Sequence, residues 1–175
     1  MGFVLAGSLF STGAYGKHLD VSADLGTFQD CHGKFIGKQV PEETRTQMLA
    51  AHARWLTDHQ DPKGMQADFC GADLSGVDFR ETDLSGANFQ GANLIHAEFT
   101  AAKLVHVNFH KANLTEASLS SVDMQGANAS GATFRLADFR KANMTQANFA
   151  GADLREANLA ETRFRLGILR GADLE

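Results

Sequence analysis

Large apolar residues recur at every fifth position from residue 67 to the end of the chain. This part divides without insertion into 22 units of five residues, starting ADFCG, ADLSG, VDFRE and ending with the truncated ADLE. The third residue of a unit is large and apolar everywhere except Ala129, and the first is alanine in sixteen units. Neither a strand nor a helix has this period. We therefore predict a backbone that turns a corner every five residues, with the first and third residues inward and the others outward.

The circuit of this backbone is predicted to be twenty residues, or four units. At that spacing similar residues coincide, whereas a spacing of fifteen does not sort the glycines. The fifth positions read Gly71, Gly91, Lys111, Gly131, Gly151 and Gly171, and two interior columns read Phe69, Phe89, Phe109, Ala129, Phe149 and Leu74, Leu94, Leu114, Phe134, Leu154. Repetition at a fixed period is typical of a solenoid, in which neighbouring units share one core.

One coil departs from the two columns in a compensating way. The undersized Ala129 is followed, one unit later, by Phe134 in a column otherwise made of leucine. We interpret the pair as conserving the volume of the interior.

The run A-[DN]-[LF]-x-x, seen in ADLSG, ANFQG, ANLIH, ADLRE and ANLAE, resembles the pentapeptide-repeat proteins over residues 67–175. The resemblance implies an all-β solenoid, a right-handed quadrilateral parallel β-helix. The 22 units would make about five and a half coils. With adjacent strands ~4.8 Å apart, this is a rod roughly 26 Å long.

Residues 41–62 are predicted to form a capping helix, with the helical pattern over 41–60 and a turn at Asp61-Pro62-Lys63-Gly64. Its apolar face consists of Met48, Leu49, His52, Trp55 and Leu56. This face would cover the open edge of the first coil. The pattern L-x-x-H-x-x-W-L resembles segments that precede the repeats in bacterial members of the family.

Residues 1–40 do not repeat clearly. The stretch LDVSADL, 19–25, alternates and predicts a strand, and Leu5, Phe10, Tyr15, Leu25, Phe35 and Val40 share one five-residue phase. We expect an irregular segment with short strands that pack near the helix.

Composition narrows the function classes. The chain has 175 residues, a formal charge of −5 and 21% charged residues, so direct nucleic-acid binding is not expected. The first sixteen residues lack the positive start and cleavage site of a signal peptide. No stretch approaches the ~18 apolar residues of a membrane span. Cys31 and Cys70 lie without further Cys or His spacing, which argues against zinc and disulfides and favours the cytoplasm.

No catalytic, cofactor or metal site is predicted, because a filled rod offers no concave, water-shielded place. His96, His106 and His110 fall on different faces, and Cys70, at an outward fourth position, is interpreted as an exposed thiol. His52 is interpreted as a packing residue. An enzyme built in residues 1–66 is a remote alternative.

The walls of the rod are the predicted interaction surface. Asp68, Asp73, Asp78 and Asp83 ring the first coil, whereas Arg135, Arg140 and Arg155 lie on later coils. Arg135 and Arg155 stack in one column with Leu136 beside it, and we expect an anionic partner to neutralise them. Ile95 and Val105 are predicted to be exposed.

Two functions remain open. The first is a rigid scaffold for contact with an unknown protein partner. The alternative, implied by the resemblance, is a DNA mimic that inhibits or protects a type II topoisomerase, DNA gyrase. Residues 67–175 carry fourteen Asp and Glu against ten Lys and Arg. A duplex of equal length carries roughly 15 negative charges, so the mimicry would be weak.

The last coil leaves Leu169 and Leu174 under an uncovered edge. Either two rods meet end to end, or the natural chain continues beyond this coil. Family members often dimerise through this coil, so the resemblance favours a homodimer.

Overall fold

The structure, a computed structural model, describes residues 33–175. It consists of one helix, α1 (Glu42–Thr57), followed by a solenoid. Parallel bridges join each second-position residue to the one twenty residues later, from Asp68 and Asn88 to Asp153 and Asp173. Each face contains a single bridged residue, because the chain turns the next corner within the same five-residue unit. The predicted twenty-residue circuit is confirmed.

Two sets of backbone hydrogen bonds hold successive coils in register. The N–H of Phe89 donates to the carbonyl of Asn108 on the next coil at 2.8 Å. The N–H of Asn88 donates to the carbonyl of Ala67 on the previous coil at 2.9 Å. This slanted, evenly spaced pattern is that of parallel strands.

The core is a stack of third-position side chains separated by small first-position residues. Phe89 and Phe109 are fully buried, and their rings stack with centroids 5.3 Å apart. Phe79, on another face, meets Phe89 edge to face at 5.7 Å. The predicted inward positions are thereby confirmed.

The corners are made by the fifth residue, which has positive φ in all 21 complete units. Eight of these residues are glycine, and thirteen carry a side chain in a conformation that L-residues rarely adopt. The N–H of the fifth residue donates to the next coil, as from His106 to Gln125 at 2.9 Å. Interactions between coils therefore hold these side-chain-bearing corners in place.

Helix α1 is shorter than predicted. Pro41 is extended, with φ −53° and ψ 142°, and precedes the helix instead of forming its first turn. The helix ends at Thr57, because Asp58 is extended and its carboxylate accepts the N–H of Gln60 at 2.9 Å. The predicted turn at 61–64 is present, with the Gly64 N–H donating to the Asp61 carbonyl.

Residues 33–40 meet the first coil before the helix begins. Gln39 forms a parallel bridge with Asp73, Val40 is buried, and Phe35 packs against the core. The predictions for residues 1–32, including the strand at 19–25, lie outside the described residues.

Candidate interaction surface

The rod presents four flat walls formed by second, fourth and fifth positions. We name two of them. The Asn wall comprises the units that begin at residues 67, 87, 107, 127, 147 and 167, and the Arg wall those that begin at 72, 92, 112, 132, 152 and 172.

The second-position side chains stabilise the corners. In the first coil the carboxylate Oδ1 accepts the backbone N–H two residues later, at distances between 2.9 and 3.2 Å. The four acceptors are Asp68, Asp73, Asp78 and Asp83. Asparagine does the same in later coils, as Asn108 does for His110 at 3.1 Å. Sequence reasoning treated these positions as surface charge, although short Asp and Asn side chains next to a corner are a known turn signal.

On the Asn wall the same side chains also bond to one another. The amide of Asn88 donates to Asp68 at 2.9 Å, Asn108 to Asn88 at 3.0 Å, and Asn128 to Asn108 at 3.2 Å. These side chains tie four coils together in a continuous ladder. The ladder is polar and largely uncharged.

The acidic ring of the first coil is partly neutralised within the chain. Arg80 binds Asp78 at 2.6 Å, and this hydrogen-bonded pair lowers the pKa of Asp78 to about 2. Lys103 lies 3.5 Å from Asp83. Asp68 and Asp73 accept amide hydrogen bonds from Asn88 and Asn93. The ring is therefore not an open anionic patch.

The arginines of the Arg wall also have partners in the chain. Arg135 binds Glu156 at 3.0 Å, and Arg155 binds Asp153 at 2.6 Å, with Asp173 at 3.5 Å from its Nε. The hydrogen bonds between Arg155 and Asp153 raise the pKa of the guanidinium and lower that of the carboxyl. Acidic side chains of the same chain thus neutralise both arginines. An anionic partner, which was expected because the two arginines stack, is not needed for this purpose.

Arg140 lies on the next wall and forms a similar pair with Asp138 at 2.7 Å. Leu136 is 46% exposed beside Arg135. Ile95 and Val105 were predicted to be exposed, but both are half-buried. The exposed apolar contribution to the Arg wall is therefore Leu136.

The C-terminal end of the rod is open. Leu169 and Leu174 are 39% and 50% exposed, and an apolar cavity of about 130 Å³ extends inward to Phe149 and Leu154. The predicted dimer residues are therefore accessible at this end.

Helix α1 lies against the other end of the rod. Met48 and Leu49 pack against the core, and Trp55 and Leu56 are half-buried.

His52 is fully buried, stacks on Trp55 and accepts the N–H of Ala67 on Nδ1 at 3.1 Å. Burial lowers the pKa of His52, opposed by the charge of Asp83 and by the nearby Ser85 backbone. Its Nε2 makes no hydrogen bond to a described residue.

The interpretation of Cys70 as an exposed thiol is wrong. Cys70 is 3% exposed and disulfide-bonded. It is covered because residues 33–37 cross the fourth position of the first unit. A Cβ at Gly33 would clash with the Cys70 carbonyl oxygen. No local pattern in the repeats marks this position, since the covering segment lies more than thirty residues earlier.

Residues 33–175 contain no cluster of three or more His, Cys, Asp or Glu side chains arranged to hold a metal ion. In the same range, no helix has the length and hydrophobicity of a membrane span.

A parallel solenoid with four units per coil, apolar third positions and Asp or Asn at the corners defines a β-helical repeat protein. Two family profiles match it: the pentapeptide repeat region at residues 92–174, and pentapeptide repeats in eight copies at residues 65–100. Together they span more than half of the chain. The protein belongs to the pentapeptide-repeat family, and its solenoid is a right-handed β-helix.

Several solved structures are similar to part of the chain. A pentapeptide repeat protein from the Arabidopsis thaliana thylakoid lumen is 39% identical, covering 58% of this chain and 63% of its own, with a TM-score of 0.30. Rfr23 from the cyanobacterium Cyanothece 51142 is 22% identical over 73% of this chain and 99% of its own, with a TM-score of 0.29. QnrB1, a plasmid-mediated fluoroquinolone resistance protein, is 24% identical over 60% of this chain and 58% of its own, also at 0.29. No curated protein matches the sequence.

Proposed function

We propose that the protein is a non-enzymatic, rigid scaffold that binds another protein along the side of the rod. The observation that carries this proposal is the filled interior: third-position side chains from Phe69 to Leu154 are buried. Chemistry in the repeats would have to take place on flat, solvated walls. Solenoids bind through extended lateral surfaces of this kind.

The Arg wall is the best candidate for the contact. It combines the exposed Leu136 with Arg135, Arg155 and Glu156, a mixture of apolar and charged groups on adjacent coils. The ion pairs here are partly exposed, so they contribute little to stability. They can be exchanged for pairs with a partner at small cost.

DNA mimicry directed at gyrase is the rival function. The repeats carry a net charge of −4, and several of the carboxylates bind arginine or lysine in the same chain. The acids that remain, such as Asp123, Glu98 and Glu116, lie on different walls. The mixed charge of the walls supports a protein-docking surface more than an imitation of the phosphate backbone.

Helix α1, within residues 41–62, acts in this proposal as the cap of the first coil. Met48, Leu49 and His52 cover apolar groups, and the Met65 N–H donates to the Ala51 carbonyl behind the helix. The opposite end, with Leu169 and Leu174, would be covered by a second copy in a homodimer. Light scattering at two concentrations tests this part, and a monomer at both contradicts it.

The expected cytoplasmic location rested on two free thiols. The bonded state of Cys70 removes that support. A disulfide is more typical of an oxidising compartment.

Two measurements separate the functions. In a gyrase supercoiling assay with the protein added at increasing ratios to the enzyme, the scaffold proposal expects no effect. Stoichiometric inhibition or protection would favour mimicry.

The Arg wall is tested by cross-linking mass spectrometry of the protein in its native cell. The double variant Arg135→Glu with Arg155→Glu is expected to lose the wild-type cross-links. Lys111→Glu with Lys141→Glu makes the same charge change off the Arg wall and is expected to keep them. Identical cross-links in both variants would exclude the Arg wall.

A further inference from the structure

The arginines of the solenoid differ in whether the chain itself supplies a partner. In three units the second residue is aspartate, the fourth is arginine, and the two side chains form an ion pair at 2.6 to 2.7 Å. These pairs are Asp78–Arg80, Asp138–Arg140 and Asp153–Arg155. Arg135 binds Glu156 on the next coil. The three short pairs show that second and fourth side chains of one unit lie within contact distance of each other.

Two later units contain arginine but no acidic residue. In the unit TRFRL the second residue is Arg163 and the fourth is Arg165. In the unit GILRG the second residue is Ile168 and the fourth is Arg170. The first of these units therefore brings two guanidinium groups to the two positions that an ion pair occupies in other units. Like charges at this separation repel each other.

The preceding coil supplies no carboxylate to these arginines. Its residues twenty positions earlier are uncharged: Asn143, Thr145 and Ala150. Glu161 lies two residues before Arg163 at the previous corner, but it makes no ion pair with that arginine. Among residues 33–175, no Asp or Glu pairs with Arg163, Arg165 or Arg170, and all three arginines are exposed.

The backbone fixes the positions from which these side chains project. N–H groups of the preceding coil donate to the carbonyls of Arg163, Arg165 and Arg170 at 2.8 to 3.0 Å. A partner would therefore not have to order this backbone on binding, which lowers the entropic cost of the contact.

Exposed aliphatic side chains lie beside the arginines. Leu166, the corner residue with φ 56°, is 81% exposed, and Ile168 is 48% exposed. We name the five residues Arg163, Arg165, Leu166, Ile168 and Arg170 the basic corner. It lies where the Asn wall meets the wall that precedes it along the chain, and it is separate from the Arg wall. Arginine next to exposed apolar side chains is typical of protein interfaces.

We propose that the basic corner binds a short, extended acidic segment of a partner protein, in which carboxylate side chains alternate with aliphatic ones. The carboxylates accept hydrogen bonds from Arg163 and Arg165, because the planar guanidinium matches a carboxylate in two parallel bonds. A carboxylate placed between the two arginines also removes their repulsion. The aliphatic side chains of the segment cover Leu166 and Ile168.

The charge of the remaining rod favours a short segment over a larger anion. Residues 67–175 carry fourteen acidic against ten basic side chains, a net charge of −4. A membrane surface or a nucleic-acid duplex would extend past the basic corner and meet repulsion from the acidic walls. A short peptide contacts the corner alone.

Fluorescence anisotropy with the full chain tests the proposal. The probe is a short fluorescein-labelled peptide that alternates glutamate and leucine. It should bind the wild-type protein at low salt, and the affinity should fall as salt is added. A peptide with serine in place of leucine should bind about tenfold or more weakly, because it leaves Leu166 and Ile168 uncovered.

Arg163→Asp is the test variant, because it gives the unit the aspartate that pairs with arginine in other units. Arg165 then has a partner in its own unit, and the affinity for the glutamate–leucine peptide should fall by about tenfold or more. The melting temperature should not fall, which separates this loss from unfolding. Arg80→Asp makes the same charge change away from the basic corner and should leave the affinity unchanged.

Equal losses of affinity in Arg163→Asp and Arg80→Asp would overturn the proposal, because net charge alone would then determine binding. Failure of the wild type to bind the peptide at low salt would also overturn it. Binding to phosphatidylglycerol-containing vesicles without binding to the peptide would assign the corner to a lipid surface. A change of molecular mass in Arg163→Asp, measured by light scattering, would assign it to contact between two copies. None of these results depends on the cross-links of the Arg wall.

Discussion

The ring of Phe134 lies 5.4 Å from that of Phe149, the residue that follows Ala129 in the column of phenylalanines that Ala129 interrupts. Both rings are fully buried. Phe134 also lies 5.1 Å from Phe139, so its ring packs against rings of both neighbouring columns. These contacts support the interpretation that Phe134 supplies the volume missing at Ala129.

Phe134→Ala is expected to lower the free energy of unfolding by ~3 to 5 kcal/mol, because it leaves a cavity in a core that cannot collapse. Denaturant unfolding measures the change. Leu169→Ala is the control at a partly exposed third position in the open last coil, and it should cost much less. Equal losses would show that the interior is not packed as described.

A mutant cycle tests the compensation itself. Ala129→Phe alone should overpack the coil and cost about 1–3 kcal/mol. Phe134→Leu alone should leave a void beside Ala129. The double variant restores the order of the other coils, with Phe in the first column and Leu in the second. Its loss in free energy of unfolding should be smaller than the sum of the two single losses by about 1 kcal/mol or more. Simple additivity would contradict the compensation.

Asn108→Ala should destabilise the rod by about 1–3 kcal/mol, because it removes two ladder bonds and the acceptor for the His110 N–H. Asn158→Ala is the control, since the side chain of Asn158 accepts only the Ala160 N–H among the bonds of the described residues. Thermal unfolding of both variants gives the comparison. If Asn158→Ala costs as much, the corner bond and not the ladder stabilises the coils.

His52 should make the attachment of α1 weaken in mild acid. Burial lowers its folded-state pKa below 6.5, so the unfolded state takes up the proton more readily. The stabilisation is complete above about pH 6.5 and is lost as the pH falls below that value. Protonation also removes the acceptor for the Ala67 N–H.

Exchange of the Ala67 amide between pH 7.5 and 5.5, corrected for intrinsic rates, measures this effect. The wild type should lose protection towards the acid end, whereas His52→Gln should show a flat profile. The titration of His110 is common to both proteins and cancels. Parallel profiles would assign the pH dependence to other groups.

The repeat, its inward positions and its twenty-residue circuit could be predicted because each unit carries the same local pattern. Within each unit, successive side chains alternate between inward and outward directions. The repetition of this pattern along the chain reveals the number of residues in one circuit. The interior column from Phe69 to Phe109, and the small residue Ala129 in it, could therefore be predicted from the sequence. The helix was predicted for a similar reason, although its end at Thr57 depended on the local bond made by Asp58.

The surface depended on contacts that no unit encodes by itself. Arg135 binds Glu156 because the chain returns to the same wall after twenty residues, at Arg155. Glu156, the corner residue that follows Arg155, then lies beside Arg135. Cys70 is buried by Gly33, and the His52 Nδ1 bonds to Ala67, through packing between the unique N-terminal segment and the first coil. A periodic core follows from short-range alternation, whereas pairing between dissimilar, distant segments follows from their positions in three dimensions.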